Sequence, residues 1–139
     1  MLESISATDI AVGAIKAQRI RMNVIANNIA NALTTRTPQG GPFRRQLAIF
    51  RGEQIGPTLK PEKFGVWVKE IVADRSPFRQ VYDPTHPDAN EDGIVLYPNV
   101  NLAVEMINLL SAQRAYEASI DVIMTDRSMG EKALEIIQQ

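Results

Sequence analysis

The chain of 139 residues contains no cysteine. Disulfide bonds, thiolate zinc sites and cysteine nucleophiles are therefore excluded. Histidine is also scarce, with His86 as its single example, so a zinc site or a Ser-His-Asp arrangement would depend on that one side chain. We expect His86 to be a solvent-exposed loop residue. We predict no catalytic residue, no cofactor-binding residue and no metal ligand.

Long apolar runs and an excess of charge of either sign are missing as well. No stretch approaches the ~20 consecutive apolar residues that a membrane span needs. The first ten residues, MLESISATDI, include acidic side chains and no continuous apolar run, so we expect no cleavable secretory signal. Lysine and arginine number 15 against 16 aspartate and glutamate, a formal net charge of −1. This balance argues against a nucleic-acid partner, which would require a basic excess.

Proline is absent from both ends of the chain. All eight prolines lie between Pro38 and Pro98, together with seven of the eight aromatic residues. Because proline breaks helix interiors, this partition predicts a helix at each end and an irregular insert between them. We predict a discontinuous domain of terminal helices, residues 1–34 and 100–139, interrupted by an insert at 35–99. Candidate helix N-caps are Ser4, Ser6 and Thr8 for the first helix and Asn99 and Asn101 for the second.

Both terminal zones carry apolar residues at alternating steps of three and four. Such spacing places one apolar stripe along a helix and is typical of a coiled-coil seam. We therefore predict a mainly α fold in which two long terminal helices pair as a coiled coil around a small β-hairpin and loop insert. The seam residues, which we also predict to form the assembly interface, are Ile5, Val12, Ile15, Met22, Ala26, Ile29 and Leu33 in the first helix and Leu102, Met106, Leu109, Tyr116, Ile120, Ile123, Leu134 and Ile137 in the second.

The apolar surface of these helices exceeds what one pairing can cover. A second row, Ala103, Ile107 and Leu110, widens the apolar face at the start of the second helix. Exposed apolar area of this extent usually marks an interface. The pattern predicts a structural subunit that self-assembles through its terminal helices, with a soluble coiled-coil adaptor or dimerisation protein as the alternative.

Two segments of the insert have strand character. Residues 43–50 and the valine-rich residues 65–73 are composed of side chains that favour strands. We expect them to form a small hairpin, or two or three short strands. From Ser76 to Asn99 the chain is dense in proline and acidic residues, which predicts a loop.

Two motifs in the insert resemble ligand-binding sites, one for calcium and one for nucleic acid. Asp88 to Gly93 match the first six positions of a calcium-binding loop, but the twelfth position is Asn99 instead of the bidentate glutamate of such loops. A turn built on Asx side chains accounts for the same residues. Arg44 and Arg45 resemble a nucleic-acid patch, yet nine basic residues in the insert are offset by eight acidic ones. We interpret the pair as a solvated strand face, and no motif indicates an enzyme or a small-molecule substrate.

Four asparagines cluster near the end of the first helix: Asn23, Asn27, Asn28 and Asn31. Asparagine is a mediocre helix former and favours helix ends. The cluster is either a polar surface patch or a set of hydrogen-bonding groups that fix the register of a neighbouring helix, as buried asparagine does in coiled coils. Asn27, Asn28 and Asn31 are included in the predicted assembly interface.

Three motifs resemble one known family. The run ANNIAN at residues 26–31 resembles the ANNLAN motif near the N-terminus of bacterial flagellar rod and hook proteins. Residues 106–119, MINLLSAQRAYEAS, are similar to the closing helix of that family. Residues 81–90 and 96–101 are similar to its proximal-rod FlgC members. The resemblance spans nearly the whole chain, although Ile29 stands where leucine is usual and Ser119 where asparagine is common.

This resemblance implies a subunit of the flagellar basal-body rod, the driveshaft that crosses the periplasm and transmits torque. The family packs its terminal helices as a coiled-coil layer around the axial tube. The partners it implies are further copies of the chain, the rod proteins FlgB, FlgF and FlgG, the adapter FliE and the membrane ring. It also implies passage through the flagellar type III export apparatus without a cleaved signal.

Overall fold

The computed structural model describes residues 6–54 and 64–139. In chain order its elements are α1 (Ala7–Ala30), β1 (Gln46–Gln54), β2 (Phe64–Ala73), β3 (Arg79–Tyr82), β4 (Ile94–Tyr97) and α2 (Leu102–Ile137). The prediction of two terminal helices around a small antiparallel β insert is confirmed. Within the described ranges, neither helix is long and apolar enough to cross a membrane.

Side chains cap the start of both helices. Ser6 Oγ accepts a hydrogen bond from the backbone N–H of Asp9 at 3.2 Å, and Asp9 Oδ2 accepts one from the backbone N–H of Ser6 at 2.9 Å. Asn101 Oδ1 accepts from the backbone N–H groups of Ala103 and Val104 at 3.0 and 3.3 Å. These bonds satisfy helix donors that have no partner inside the helix. Both caps are among the predicted candidates.

The helices α1 and α2 pack antiparallel. Thr8 Oγ1 donates to Asp126 Oδ2 at 2.6 Å near one end of the pair. Asn28 Nδ2 donates to Glu105 Oε2 at 3.1 Å near the other end. Between these contacts lies Ala112 of α2, which is fully buried. Small side chains let helix axes approach closely.

The two helices differ in how much of their surface the chain covers. Helix α1 contacts α2, β1 and β2, whereas α1 is the only described helix or strand that α2 packs against. The hairpin lies so close to α1 that a Cβ added to Gly13 would be 3.6 Å from the carbonyl oxygen of Val66. One side of α2 is therefore left uncovered by the other described elements.

The first hairpin forms where strands were predicted, at residues 43–50 and 65–73, although β1 begins three residues later and ends four residues later than predicted. Strands β1 and β2 are antiparallel and place Gln46 opposite Ala73. The register shifts between Ile49 and Phe50, which marks a β-bulge. The segment that joins the strands, residues 55–63, lies outside the described ranges.

The prediction of a loop from Ser76 to Asn99 is wrong, because this segment contains a second hairpin. Strands β3 and β4 pair antiparallel with Arg79 opposite Tyr97, and Val95 at its centre is fully buried. Each strand has only four residues, too few for the alternation of apolar and polar side chains to stand out from the prolines and acidic residues around them.

Candidate assembly interface

A buried carboxylate joins the helices to the insert. Glu105 of α2 has 0% of its surface exposed. Arg45 Nε donates to Glu105 Oε1 at 2.6 Å, and Asn28 Nδ2 donates to Glu105 Oε2 at 3.1 Å. A buried charge is tolerated only when it is paired and hydrogen-bonded. Each oxygen of Glu105 has such a partner, so α1, α2 and the residue that precedes β1 are held at one point.

Arg45 extends this cluster to the end of β2. Its Nη1 lies 3.1 Å from Asp74 Oδ2, and its side chain is only 18% exposed. Desolvation lowers the pKa of Arg45, but the hydrogen bonds to Glu105 and Asp74, together with the charges of these carboxylates, outweigh that effect and the net shift is upward. The interpretation of Arg44 and Arg45 as a solvated strand face is therefore wrong, since both residues are half-buried and precede β1. Arg44 stacks its guanidinium 4.1 Å from the ring centroid of Phe78.

Asp74 is held mainly by its own turn. The hydroxyl and the backbone N–H of Ser76 donate to Asp74 Oδ1 at 2.5 and 2.9 Å. These two bonds, followed by the contact with Arg45, hold the pKa of the Asp74 carboxyl below its ordinary value. Asn99 completes the corner, because its Nδ2 donates to the Asp74 carbonyl at 3.1 Å and its Oδ1 accepts from Arg45 N at 2.8 Å. We name Asn28, Arg45, Asp74, Asn99 and Glu105 the polar corner.

The asparagine cluster divides into different roles. Asn28 is 1% exposed; its Nδ2 donates to the Gln46 carbonyl at 2.8 Å and its Oδ1 accepts from Gln46 N at 2.9 Å. Asn28 thus imitates a strand partner for the first residue of β1. Asn31 Nδ2 donates to the Asn27 carbonyl at 2.9 Å and helps to end α1. Asn23 is exposed.

The predicted seam residues lie partly inside and partly on the surface of the chain. Ile5 is outside the described residues. Half-buried members are Ile15, Met22, Ile29, Asn31, Leu109, Tyr116, Ile120 and Ile123. Exposed members are Val12, Ala26, Asn27, Leu33, Leu102, Met106, Leu134 and Ile137. Of the predicted residues that the structure describes, Asn28 alone is buried; the other buried positions of α1 are Ala11, Ala17, Val24 and Ile25.

Large apolar side chains remain uncovered at both ends of α2. At the start of the helix Ile107 is 68% exposed, beside Met106 and Leu110. At its end Ile137 is 80% exposed, beside Leu134 and Ile136. A contiguous exposed apolar surface of this kind is typical of a protein interface.

The residues that resemble a calcium-binding loop, Asp88 to Gly93, use polar groups in hydrogen bonds within the chain. Asn90 Oδ1 accepts from Asp92 N at 3.0 Å and from Ile94 N at 2.8 Å, and Gly93 has a φ of 74°, which suits a tight turn. Asp88 accepts from Thr35 Oγ1 at 2.8 Å, which lowers the pKa of Asp88. This bond ties the second hairpin to the segment after α1. The residues therefore form an Asx turn.

His86 also belongs to this turn. Its Nδ1 accepts from Asp88 N at 3.0 Å, and its ring meets that of Tyr97 edge-on at a centroid distance of 6.2 Å. The side chain is half-buried, so the expectation of a solvent-exposed loop histidine is wrong. In the part of the chain that the structure describes, no group of three or more histidine, aspartate or glutamate side chains is placed to hold a metal ion.

Two protein-family models match the terminal regions. The model described as flagella basal body rod protein matches residues 9–36, which include most of α1. The model described as flagellar basal body rod FlgEFG protein C-terminal matches residues 91–136, which include β4 and nearly all of α2. Both matches fall on the helices whose surfaces remain partly uncovered.

Relatives named flagellar basal-body rod protein FlgC align with almost the whole chain. The protein of Borreliella burgdorferi is 44% identical over 96% of this chain and 97% of its own length. The proteins of Bacillus subtilis and Salmonella typhimurium are 39% and 38% identical, over 92% and 94% of this chain and 94% and 95% of their own lengths. Such rod proteins are structural and not enzymes. The chain therefore belongs to the FlgC family and is a structural subunit of the flagellar basal-body rod.

Proposed function

We propose that this rod subunit assembles through its terminal helices, with α1 and α2 of neighbouring subunits pairing as coiled coils. The supporting observation is the uncovered apolar surface at both ends of α2, where Ile107 and Ile137 are 68% and 80% exposed. Burial of one large apolar side chain stabilises an interface by ~1.5–3 kcal/mol. Several such side chains on one subunit can therefore support a multiply contacted assembly.

The proposed place of the subunit is the proximal rod, where the rod crosses the periplasm. Its partners there are further copies, the rod proteins FlgB, FlgF and FlgG, the adapter FliE and the membrane ring. Delivery through the flagellar type III export apparatus is compatible with a chain that has no cysteine, because no disulfide would have to be broken before passage.

The proposed mechanical role is torque transmission by a rigid subunit. The polar corner supports this role, since Glu105 receives donors from Asn28 of α1 and from Arg45, the residue just before β1. An insert fixed to both helices turns with them instead of rotating independently. Contacts of the insert with neighbouring subunits would then pass torque from one subunit to the next.

The test is complementation of a strain that lacks this chain. We expect Ile107→Glu to abolish swimming and basal-body assembly, because a carboxylate would be buried in the interface. The matched control, Gln113→Glu, adds the same charge at another exposed position of α2 and should restore swimming. Motility is scored in soft agar and basal bodies by electron microscopy.

Both substitutions lie on the surface, so the free energy of unfolding of each variant should stay within about 0.5 kcal/mol of the parent. Urea denaturation of the purified chains checks this. Swimming of the Ile107→Glu strain at the level of the Gln113→Glu strain would contradict assembly through α2.

A further inference from the structure

The outward side of α1 carries a regular row of exposed residues. At steps of four and three these are Val12, Lys16, Arg19, Asn23, Ala26 and Ala30, and all six are exposed. We name them the α1 outer ridge. Its only charged members are Lys16 and Arg19, and neither forms an ion pair within the described residues.

The outward side of α2 carries a row with the same steps. Its members are Ile107, Leu110, Arg114, Glu117, Asp121 and Met124, and all six are exposed. We name them the α2 outer ridge. Leu110 is two positions from the buried Ala112, about 200° of helix rotation, so this ridge faces away from α1. Asp121 has no ion pair in the described ranges, while Glu117 pairs with Arg114 at 3.2 Å.

When the two ridges are aligned antiparallel, each of the six residues of one lies opposite a residue of the other. Basic residues of one ridge meet acidic residues of the other in the middle, and apolar residues meet apolar residues at the ends. The pairs are Val12 with Met124, Lys16 with Asp121, Arg19 with Glu117, Asn23 with Arg114, Ala26 with Leu110 and Ala30 with Ile107.

This alignment closely follows the register that the chain already uses internally. Inside one chain Thr8 meets Asp126 and Asn28 meets Glu105. In the ridge alignment each residue of α1 lies opposite a residue of α2 that is about three positions further along α2 than its partner in the internal register. A second copy that uses the same antiparallel relation would therefore point in the same direction as the first.

From these two ridges we infer that the α1 outer ridge of one copy docks on the α2 outer ridge of a second copy. The inference rests on the proposed assembly through terminal helices and specifies its partner and register. Because the two copies use different surfaces, the contact is heterologous and repeats from copy to copy. Exposed ion pairs contribute little affinity by themselves, so the charges select the register while the flanking apolar residues supply attraction.

Disulfide cross-linking tests the register. The chain has no cysteine of its own, so the full-length variant Ala26→Cys with Leu110→Cys carries two known thiols. In basal bodies from a complemented deletion strain, we expect mild oxidation to give products at multiples of the 15.4 kDa chain. The control, Ala26→Cys with Ser128→Cys, places the second thiol out of register and should give about fivefold less product. Equal yields, or products only with a different rod protein, would overturn the inference.

Charge reversal tests the central pair independently. Lys16→Glu and Asp121→Lys should each lower swimming about fivefold, because like charges then face each other. Introduced into the variant with Ala26→Cys and Leu110→Cys, each should also lower the yield of cross-linked oligomers about fivefold. The double variant restores the opposite charges and should recover both readouts. Arg51→Glu, which makes the same charge change at an exposed position of β1, should behave like the parent. Single variants that match this control, or a double variant that does not recover, would contradict the pairing.

The two proposals can fail separately. One result would be that all the charge variants restore swimming to the deletion strain equally, while Ile107→Glu does not. That result would overturn the ridge register and leave assembly through α2 intact. Rescue by every variant, Ile107→Glu included, would contradict both.

Discussion

Glu105 has no access to water, and its charge is stabilised by the two donors that face it. We predict that Arg45→Met destabilises the chain by about 3–5 kcal/mol, because the substitution leaves this carboxylate buried without its cation. Urea denaturation followed by circular dichroism measures the change in the free energy of unfolding.

The matched control for this prediction is Arg51→Met, the same substitution at an exposed arginine in β1, the strand that follows Arg45. It should change the free energy of unfolding by no more than about 0.5 kcal/mol. Similar losses for the two variants would show that Arg45 contributes no more than an exposed arginine.

Asp74 should make stability depend on pH. Its pKa is lowered in the folded chain, mainly by Ser76 and then by Arg45. A carboxyl of this kind contributes its full stabilisation above its unfolded pKa of about 3.9 and loses it as the pH falls through the folded pKa. We predict that Asp74→Asn loses less stability than the parent between about pH 5 and about pH 2.

Urea midpoints measured across this pH range test the prediction, with Asp92→Asn as the control. Asp92 is exposed and lies outside the polar corner, so its substitution should leave the acid-side slope of the parent unchanged. A slope for Asp74→Asn that equals the parent slope would contradict the role of Asp74.

The polar corner is built from contacts that the sequence signals only in part. Because asparagine is unusual in a helix, the sequence singles out Asn28, but it does not distinguish a surface patch from a register-setting group. Glu105 and Arg45 gave no signal, because their partners are 77 and 60 residues away in sequence. Local composition around Arg45 indicated a solvated strand, whereas the fold brings Glu105 beneath it.

Helix packing gives a prediction at the scale of elements. Ala112 is fully buried, and α2 packs against no other described helix or strand than α1. We predict that Ala112→Leu destabilises the chain by about 1–3 kcal/mol, because the larger side chain pushes the helix axes apart. Thermal and urea denaturation measure the loss.

Ala118→Leu is the corresponding control, since Ala118 is exposed on the same helix. Leucine and alanine are both good helix formers, so this variant should unfold within about 0.5 kcal/mol of the parent. A loss as large as that of Ala112→Leu would show that the effect arises within α2 and not at the helix pair.

The elements themselves were predictable where their signals are local. The absence of proline and the steps of three and four predicted both helices, and the capping residues Ser6 and Asn101 were among the candidates. The side of each helix that the chain buries was not predictable from one stripe, because α1 packs against both α2 and the first hairpin. The second hairpin was missed because its strands are short and are joined by a turn rich in polar residues.

The whole molecule gives a prediction about the far end of α2. Beyond Asp126 every residue of the helix is exposed, a segment of about 16 Å at 1.5 Å per residue. We predict that a chain ending after Asp126 unfolds within about 1 kcal/mol of the parent, since little buried surface is removed. The same truncation should abolish swimming, because the exposed apolar residues Leu134, Ile136 and Ile137 are lost.

A chain that lacks only Gln138 and Gln139 is the control for this truncation, because it keeps α2 complete. It should swim normally. Full motility of the chain that ends after Asp126 would show that the last turns of α2 are dispensable in the rod.

The pairing of the first helix with the last has a consequence for how the chain folds as it is made. The bond between Thr8 and Asp126 joins residues 118 positions apart, so α1 leaves the ribosome long before its partner exists. Until α2, which begins at Leu102, has been synthesised, the first hairpin is the only described element that can cover the buried side of α1. Contacts between such distant segments form slowly, so a newly made chain has a period in which other proteins can bind α1 before α2 does.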